Sequence, residues 1–241
     1  MLTAAYRRSH GDAFRIGFTT GLTTNLVQFY WLLLIPVRGF PILGWIALSS
    51  FLALFTAVWV WLISGLEAKV TGAQETWRRR SLLSLLAAAV WVALEMLRAR
   101  VFGGLPWNLL GVSQYKLTPL IQFASATGVY GVSFLVVWGS LCLRNAVAAL
   151  IRHPTRRFAW QVEVLPPLTI VCAAFVIGAF KMNGEAKDNR SSLRVTFIQP
   201  SIPQTMIWNE AESGQRFAQL LELTRAALTN ETDLLVWPEA A

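Results

Sequence analysis

The chain has 241 residues, 55% of them apolar and only 14% charged, with a formal net charge of +8. A soluble domain carries about 25% charged residues, so an ordinary soluble globule is excluded. Eleven Trp and fourteen Phe suit lipid and its interface. The basic residues lie between apolar runs rather than along one stripe, which points to membrane topology and away from a nucleic-acid partner.

In chain order, residues 1–182 read as a transmembrane bundle with spans at 16–35, 42–63, 82–98, 120–143 and 162–180. Crossing a bilayer takes about 20 mostly apolar residues, which the second, fourth and fifth segments supply. The first run extends to Ile35 with no small-residue cleavage site behind it, unlike a signal peptide. It is interrupted by Thr19, Thr20, Thr23, Thr24, Asn25 and Gln28, expected to pack helix against helix. The third segment is short and holds Glu95. Snorkelling of Arg98 gives it sufficient length. A charge in a span faces a bundle interior or cavity, so Glu95 is expected either to pair with Arg98 or Arg100 or to meet a lipid headgroup.

Between spans three and four lies Gly104-Leu105-Pro106-Trp107-Asn108-Leu109-Leu110-Gly111-Val112-Ser113-Gln114. Pro106 and Trp107 read as an interfacial anchor and turn. Alternatively the loop floors a lipid-binding cleft, with Trp107, Asn108, Ser113 and Gln114 as substrate contacts. Arg7, Arg8, Arg15, Lys69, Arg78, Arg79, Arg80, Arg144, Arg152, Arg156 and Arg157 fall at one end of the bundle. Only Arg38, Arg98, Arg100 and Lys116 fall at the other. The positive-inside bias predicts a cytoplasmic N-terminus and an extracytoplasmic exit after Lys181. Cys142 and Cys172 sit in apolar runs without ligand spacing. His10 and His153 stand alone in polar stretches. No metal or cofactor signature is present.

A polar linker over 183–192 precedes a change of character. Leu193-Arg194-Val195-Thr196-Phe197-Ile198-Gln199 alternates like a strand. A helix is expected from Asn209 or Glu210 to about Leu228, and Leu234-Leu235-Val236-Trp237 reads as a second strand. Strand, helix, strand opens an α/β domain with parallel neighbours. Some fifty residues are too few to close a core unaided, and the chain is expected to be incomplete. Glu239 follows Trp237-Pro238. It either caps a helix or faces solvent, or it is a catalytic base at the carboxyl end of a parallel strand, where α/β folds put chemistry.

Val195-Thr196-Phe197-Ile198-Gln199-Pro200-Ser201-Ile202-Pro203-Gln204, then Trp208-Asn209-Glu210, then Asp233-Leu234-Leu235-Val236-Trp237-Pro238-Glu239 resembles the opening of a nitrilase-type (carbon–nitrogen hydrolase) domain. With the membrane segments, the 104–114 loop and Gly128-Val129-Tyr130-Gly131 ahead of it, the chain resembles the bacterial apolipoprotein N-acyltransferase family. The resemblance implies a multi-pass α-helical membrane bundle followed by the truncated start of a nitrilase-like α/β (αββα) domain at 193–241. It implies a Glu–Lys–Cys triad in which Glu239 is the general base, with Trp237 beside it as a substrate contact. The lysine and nucleophilic cysteine match nothing in this chain, which is therefore expected to be inactive alone.

The implied reaction moves an acyl chain from a membrane phospholipid to the N-terminal S-diacylglyceryl cysteine of a lipoprotein through a thioester, the final step of lipoprotein maturation. It implies a monomer in the bacterial inner membrane, with the catalytic domain on the periplasmic face, no cofactor and no nucleic acid. The other reading is a noncatalytic membrane lipid-binding or scaffold protein.

Overall fold

The computed structural model describes residues 1–5, 8–35, 41–71, 76–152, 160–184, 192–203, 209–229 and 231–238. The chain divides into two compact units, Met1–Trp31 with Ile42–Ala186, and Leu32–Pro41 with Lys187–Ala241.

The first unit is helical. After a single turn at Leu2–Ala5 come α1 (His10–Gln28), α2 (Pro41–Thr71), α3 (Trp77–Arg98), α4 (Ala124–Arg152) and α5 (Gln161–Gly184). Ser9 caps α1, its Oγ accepting from Asp12 N at 3.1 Å, which satisfies one of the donors left open at a helix start. Among the described residues, four helices are long and apolar enough to cross a membrane: Pro41–Lys69, Trp77–Arg98, Ala124–Ile151 and Gln161–Asn183.

The segment expected as the first span differs. Its helix stops at Gln28 and is followed by a 3-10 stretch, Tyr30–Leu34, and α1 is not among the four. Threonines, Asn25 and Gln28 lower its hydropathy. Of the residues expected to pack helix against helix, Asn25 is buried, while the threonine hydroxyls bond within their own helix. Thr19, Thr20, Thr23 and Thr24 donate to carbonyls three or four residues back in their own helix, at 2.7–3.2 Å. Ala13, Gly17, Gly21 and Asn25 form the buried stripe instead, at four-residue intervals. A Cβ on Gly17 would lie 2.7 Å from Ala57 Cα, and one on Gly21 2.9 Å from Thr56 Cβ. Only glycine lets α1 and α2 approach this closely. Trp45 Nε1 adds a 3.1 Å bond to Leu26 O.

The bundle core joins Trp59, Val60 and Ile63 of α2 to Ala87 and Ala88 of α3 and to Leu135, Val137, Trp138, Leu141 and Cys142 of α4. Trp59 Nε1 donates to Ala87 O at 2.8 Å, and its ring meets Trp91 edge-on with centroids 5.2 Å apart. At one end of the bundle, polar groups tie four helices. Arg144 pairs with Glu67, Arg80 Nε lies 2.9 Å from Glu163 Oε1, and Asn145 Nδ2 donates to Ser84 Oγ at 3.0 Å. The Glu163 side chain is 0% exposed. Buried charge is tolerated when paired and hydrogen-bonded. Of the two histidines, His10 is exposed and meets Trp61 edge-on, while His153 lies outside the described residues.

The second unit contains β1 (Val195–Phe197), α6 (Ser213–Ala227) and β2 (Leu234–Val236). The strands pair in parallel, with Val195 opposite Leu234 and Phe197 opposite Val236. A 3-10 turn, Glu210–Glu212, leads into α6, and Asn209 Oδ1 accepts from Ala211 N. Leu220 of α6 and Ile198 are buried. Arg194 bridges to Glu231 and Asp233 ahead of β2. The expected strand–helix–strand order is present, with shorter strands. Two strands are seen among the described residues.

Candidate functional site

The end of the bundle opposite the Arg80–Glu163 pair is built around the connection from α3 to α4. Four residues in seven carry positive φ: Phe102 (54°), Gly103 (86°), Gly104 (87°) and Asn108 (54°). Glycine adopts this region freely and asparagine tolerates it, whereas Phe does so at a cost. Phe102 is 91% exposed, its ring 5.8 Å from that of Phe51. The turn closes with Gly104 N to Val101 O at 3.0 Å and Leu105 N to Arg98 O at 3.1 Å.

The last turn of α3 grips the 104–114 loop. Glu95 is only 3% exposed. Its Oε1 accepts from Trp91 Nε1 at 3.0 Å and from the Leu110 backbone N–H at 2.8 Å. No ion pair within 4.0 Å joins Glu95 to Arg98 or Arg100 among the described residues, though Arg98, one turn along α3, still interacts with Glu95 electrostatically. Arg100 Nη1 turns back to Met96 O, and Arg98 Nη2 donates to Trp107 O at 3.2 Å and Asn108 O at 3.1 Å. Carbonyls leaving a tight turn lack helical partners, and a guanidinium fork supplies several donors. Glu95 Oε2 and Arg98 Nε are buried without a hydrogen-bond partner.

The loop also docks on α4. Gly111 is buried, and its N–H donates to Ser133 Oγ at 2.8 Å. A Cβ there would meet Val129 O and sit 2.9 Å from Ser133 N. The 104–114 loop and the Gly128-Val129-Tyr130-Gly131 stretch therefore meet, with Gly111 as the contact. Gly128 (φ 66°, ψ 179°) interrupts α4 just before this contact.

Trp107 is 47% exposed and lies against Phe29 and Trp31, with centroids 6.3 and 5.5 Å away. Asn108 Nδ2 donates to Gln28 Oε1 at 3.3 Å. Ser113 Oγ donates to Leu110 O at 2.6 Å and accepts from Gln114 Nε2 at 2.9 Å. Lys181 Nζ donates to Ser125 Oγ at 3.0 Å, so α5 ends at this same end of the bundle.

Glu95 thus hydrogen-bonds the backbone of the loop that carries Trp107, Asn108, Ser113 and Gln114. Trp237 belongs to the second unit, where its Nε1 donates to Thr224 Oγ1 at 3.1 Å and its ring meets Phe217 edge-on. Glu239 and Trp208 lie outside the described residues. Cys142 is buried in the bundle core, and Cys172 is exposed on α5. Sequence reasoning missed Ser133, Gln28 and Phe29 as partners of the loop and Trp91 as a partner of Glu95. A serine two residues beyond the Gly128–Gly131 stretch, in an apolar helix, was the available signal.

Apolar helices of spanning length, knit by polar contacts at both ends and followed by a parallel strand–helix–strand, define a multi-helix membrane domain with an appended α/β segment. Residues 1–142 match the family model described as the apolipoprotein N-acyltransferase N-terminal domain. The chain belongs to that family. It is 33% identical to the apolipoprotein N-acyltransferase of Geobacter metallireducens over 252 aligned residues, covering all of this chain and 45% of that protein. The protein of that name from Rickettsia prowazekii is 31% identical over 65% of this chain and 30% of its own length. That from Brucella melitensis is 30% identical over 92% and 38%. The chain spans less than half the length of these relatives.

Proposed function

We propose that this chain is the membrane-embedded, substrate-access part of an N-acyltransferase that moves an acyl chain from a membrane phospholipid to the N-terminal S-diacylglyceryl cysteine of a lipoprotein. The observation that carries this is the loop at 104–114. It is buried at Leu109 and Gly111 yet offers Trp107, Asn108 and Ser113 outward at one end of an apolar bundle. An indole beside a polar amide suits the boundary between acyl chain and headgroup. The α5 helix ends at the same face. The bias of basic residues toward the opposite end supports a loop on the periplasmic side of the inner membrane.

In the proposed reaction Glu239 deprotonates a cysteine thiol. The thiolate attacks the phospholipid acyl ester, giving a thioester and releasing a lysophospholipid. The lipoprotein α-amine then attacks the thioester carbonyl and regenerates the thiol, while a lysine stabilises the tetrahedral oxyanion. This reading assigns the cysteine and lysine to the length of the relatives that this chain does not span. Trp237, held to α6 by its bond to Thr224 and followed by Pro238, stiffens the approach to Glu239. The enzyme works as a monomer in this reading.

The test is acyl transfer from labelled phospholipid to a diacylglyceryl lipoprotein by the full-length protein in proteoliposomes. Glu239→Gln is expected to lower the rate by at least about 100-fold, the scale of general-base loss. Transfer at the wild-type rate in that variant overturns the role of Glu239. No transfer by the unaltered protein overturns the reaction.

A further inference from the structure

We propose that Glu95 is a positioning residue for the phospholipid donor: its carboxylate fixes the 104–114 loop to the bundle core and so sets how Trp107 and Asn108 meet the lipid. This rests on reading the loop as lipid-facing. Leu110 and Gly111 are consecutive, and their N–H groups are held by two different helices. Glu95 of α3 takes the first at 2.8 Å and Ser133 of α4 takes the second at 2.8 Å. Leu110 O accepts from Ser113 Oγ at 2.6 Å. The middle of the loop is thus pinned to the bundle at two atoms and braced internally by the third bond.

The pin is rigid because Glu95 is itself anchored in the core. Its Oε1 also accepts from Trp91 Nε1 at 3.0 Å. Trp91 meets the Trp59 ring edge-on, and Trp59 is bonded to Ala87 O. A continuous set of contacts therefore runs from α2 through α3 to the loop. One turn further along α3, Arg98 holds the carbonyls of Trp107 and Asn108. Both bonds of Glu95 end on Oε1, and Oε2 is buried without a partner. A buried carboxylate is costly to keep in a membrane helix. A role confined to apolar packing would not require one.

Three variants of the full-length protein test this with two readouts, amide hydrogen exchange across 104–114 and the kinetics of acyl transfer against phospholipid concentration. Glu95→Ala removes the acceptor. Loop exchange should rise at least about tenfold and KM for the phospholipid about tenfold, with kcat within about twofold, as expected for lost binding without lost chemistry. Glu95→Gln keeps an oxygen for both donors and should stay within about threefold of the unaltered protein in both readouts.

Leu110→Pro removes the same hydrogen bond from the other side and serves if Glu95→Ala does not accumulate. Leu110 opens a 3-10 turn and Leu109 before it is extended (φ −61°, ψ 137°), a backbone that accepts proline. It should reproduce the rise in exchange and in KM. Wild-type exchange and KM in Glu95→Ala, or in Leu110→Pro where that serves, overturn the proposal. Glu95→Gln as impaired as Glu95→Ala overturns it too, because the charge itself would then act. A fall confined to kcat points to a catalytic role and also overturns it. If the unaltered protein transfers no acyl group, the proposed function fails, and loop exchange alone still decides whether Glu95 is the pin.

Discussion

Gly17→Ala is the most discriminating perturbation of the bundle, because its expected sign is opposite to that of the same change elsewhere. A Cβ at Gly17 would lie 2.7 Å from Ala57 Cα, 2.9 Å from Val60 Cβ and 3.1 Å from Thr56 O. Two of those three atoms are backbone, so no rotamer change relieves the overlap. Carbon–carbon contacts are best at about 3.5–4.0 Å, so the helices must part by about 1 Å, and a gap of that size forfeits up to about half of each contact energy along the stripe. Overpacking of this kind costs about 1–3 kcal/mol, against which alanine gains about 1 kcal/mol of helix propensity. The net expectation is a loss of about 1–2 kcal/mol, or a few degrees in Tm. Gly139 in α4 is the control. A Cβ there meets nothing within 4 Å, so Gly139→Ala should stabilise by about 0.5–1 kcal/mol. Thermal unfolding in one detergent, monitored by tryptophan fluorescence, measures both. Ala57→Gly should not rescue Gly17→Ala, because the nearest atom is the Ala57 Cα. A Gly17→Ala protein as stable as Gly139→Ala would refute the close approach of α1 and α2.

Two further outcomes concern polar contacts. Arg80→Met leaves the Glu163 carboxylate buried without this guanidinium and should cost about 3 kcal/mol, most of it recovered in Arg80→Met/Glu163→Leu; equal melting of the single and double variants would contradict this. In the second unit, Trp237→Phe keeps the ring near Phe217 but deletes the Nε1 bond to Thr224. The loss should be about 0.5–1.5 kcal/mol, read as about 3- to 10-fold faster amide exchange in β2, with Thr224→Ser unaffected. Unchanged exchange in Trp237→Phe would show that the bond contributes nothing.

Apolar run length is a local property of the sequence, and it locates the apolar middles of α2 to α5; the helices themselves run on past the expected ends, α2 to Thr71 and α4 to Arg152. Strand alternation and the polar turn before Leu234 likewise announce β1 and β2, because period-two patterning needs no knowledge of neighbours. The candidate loop was legible for the same reason: glycines, a proline and a tryptophan interrupt hydrophobic sequence at a membrane boundary. Tertiary structure decided what these parts touch. The threonines, Asn25 and Gln28 of α1 looked like the interhelical contacts; the threonine hydroxyls reach their own backbone carbonyls, and Asn25 shares the buried stripe with glycines, which alone admit another helix at that distance. Glu95 looked like half of an ion pair. Its partners are an indole and a backbone N–H fifteen residues away, and no pattern of side chains along the chain marks a bond to a backbone amide. Composition and period reflect solvent preference residue by residue. Contacts arise from three-dimensional closure, which brings Leu110 to Glu95 and Gly111 to Ser133.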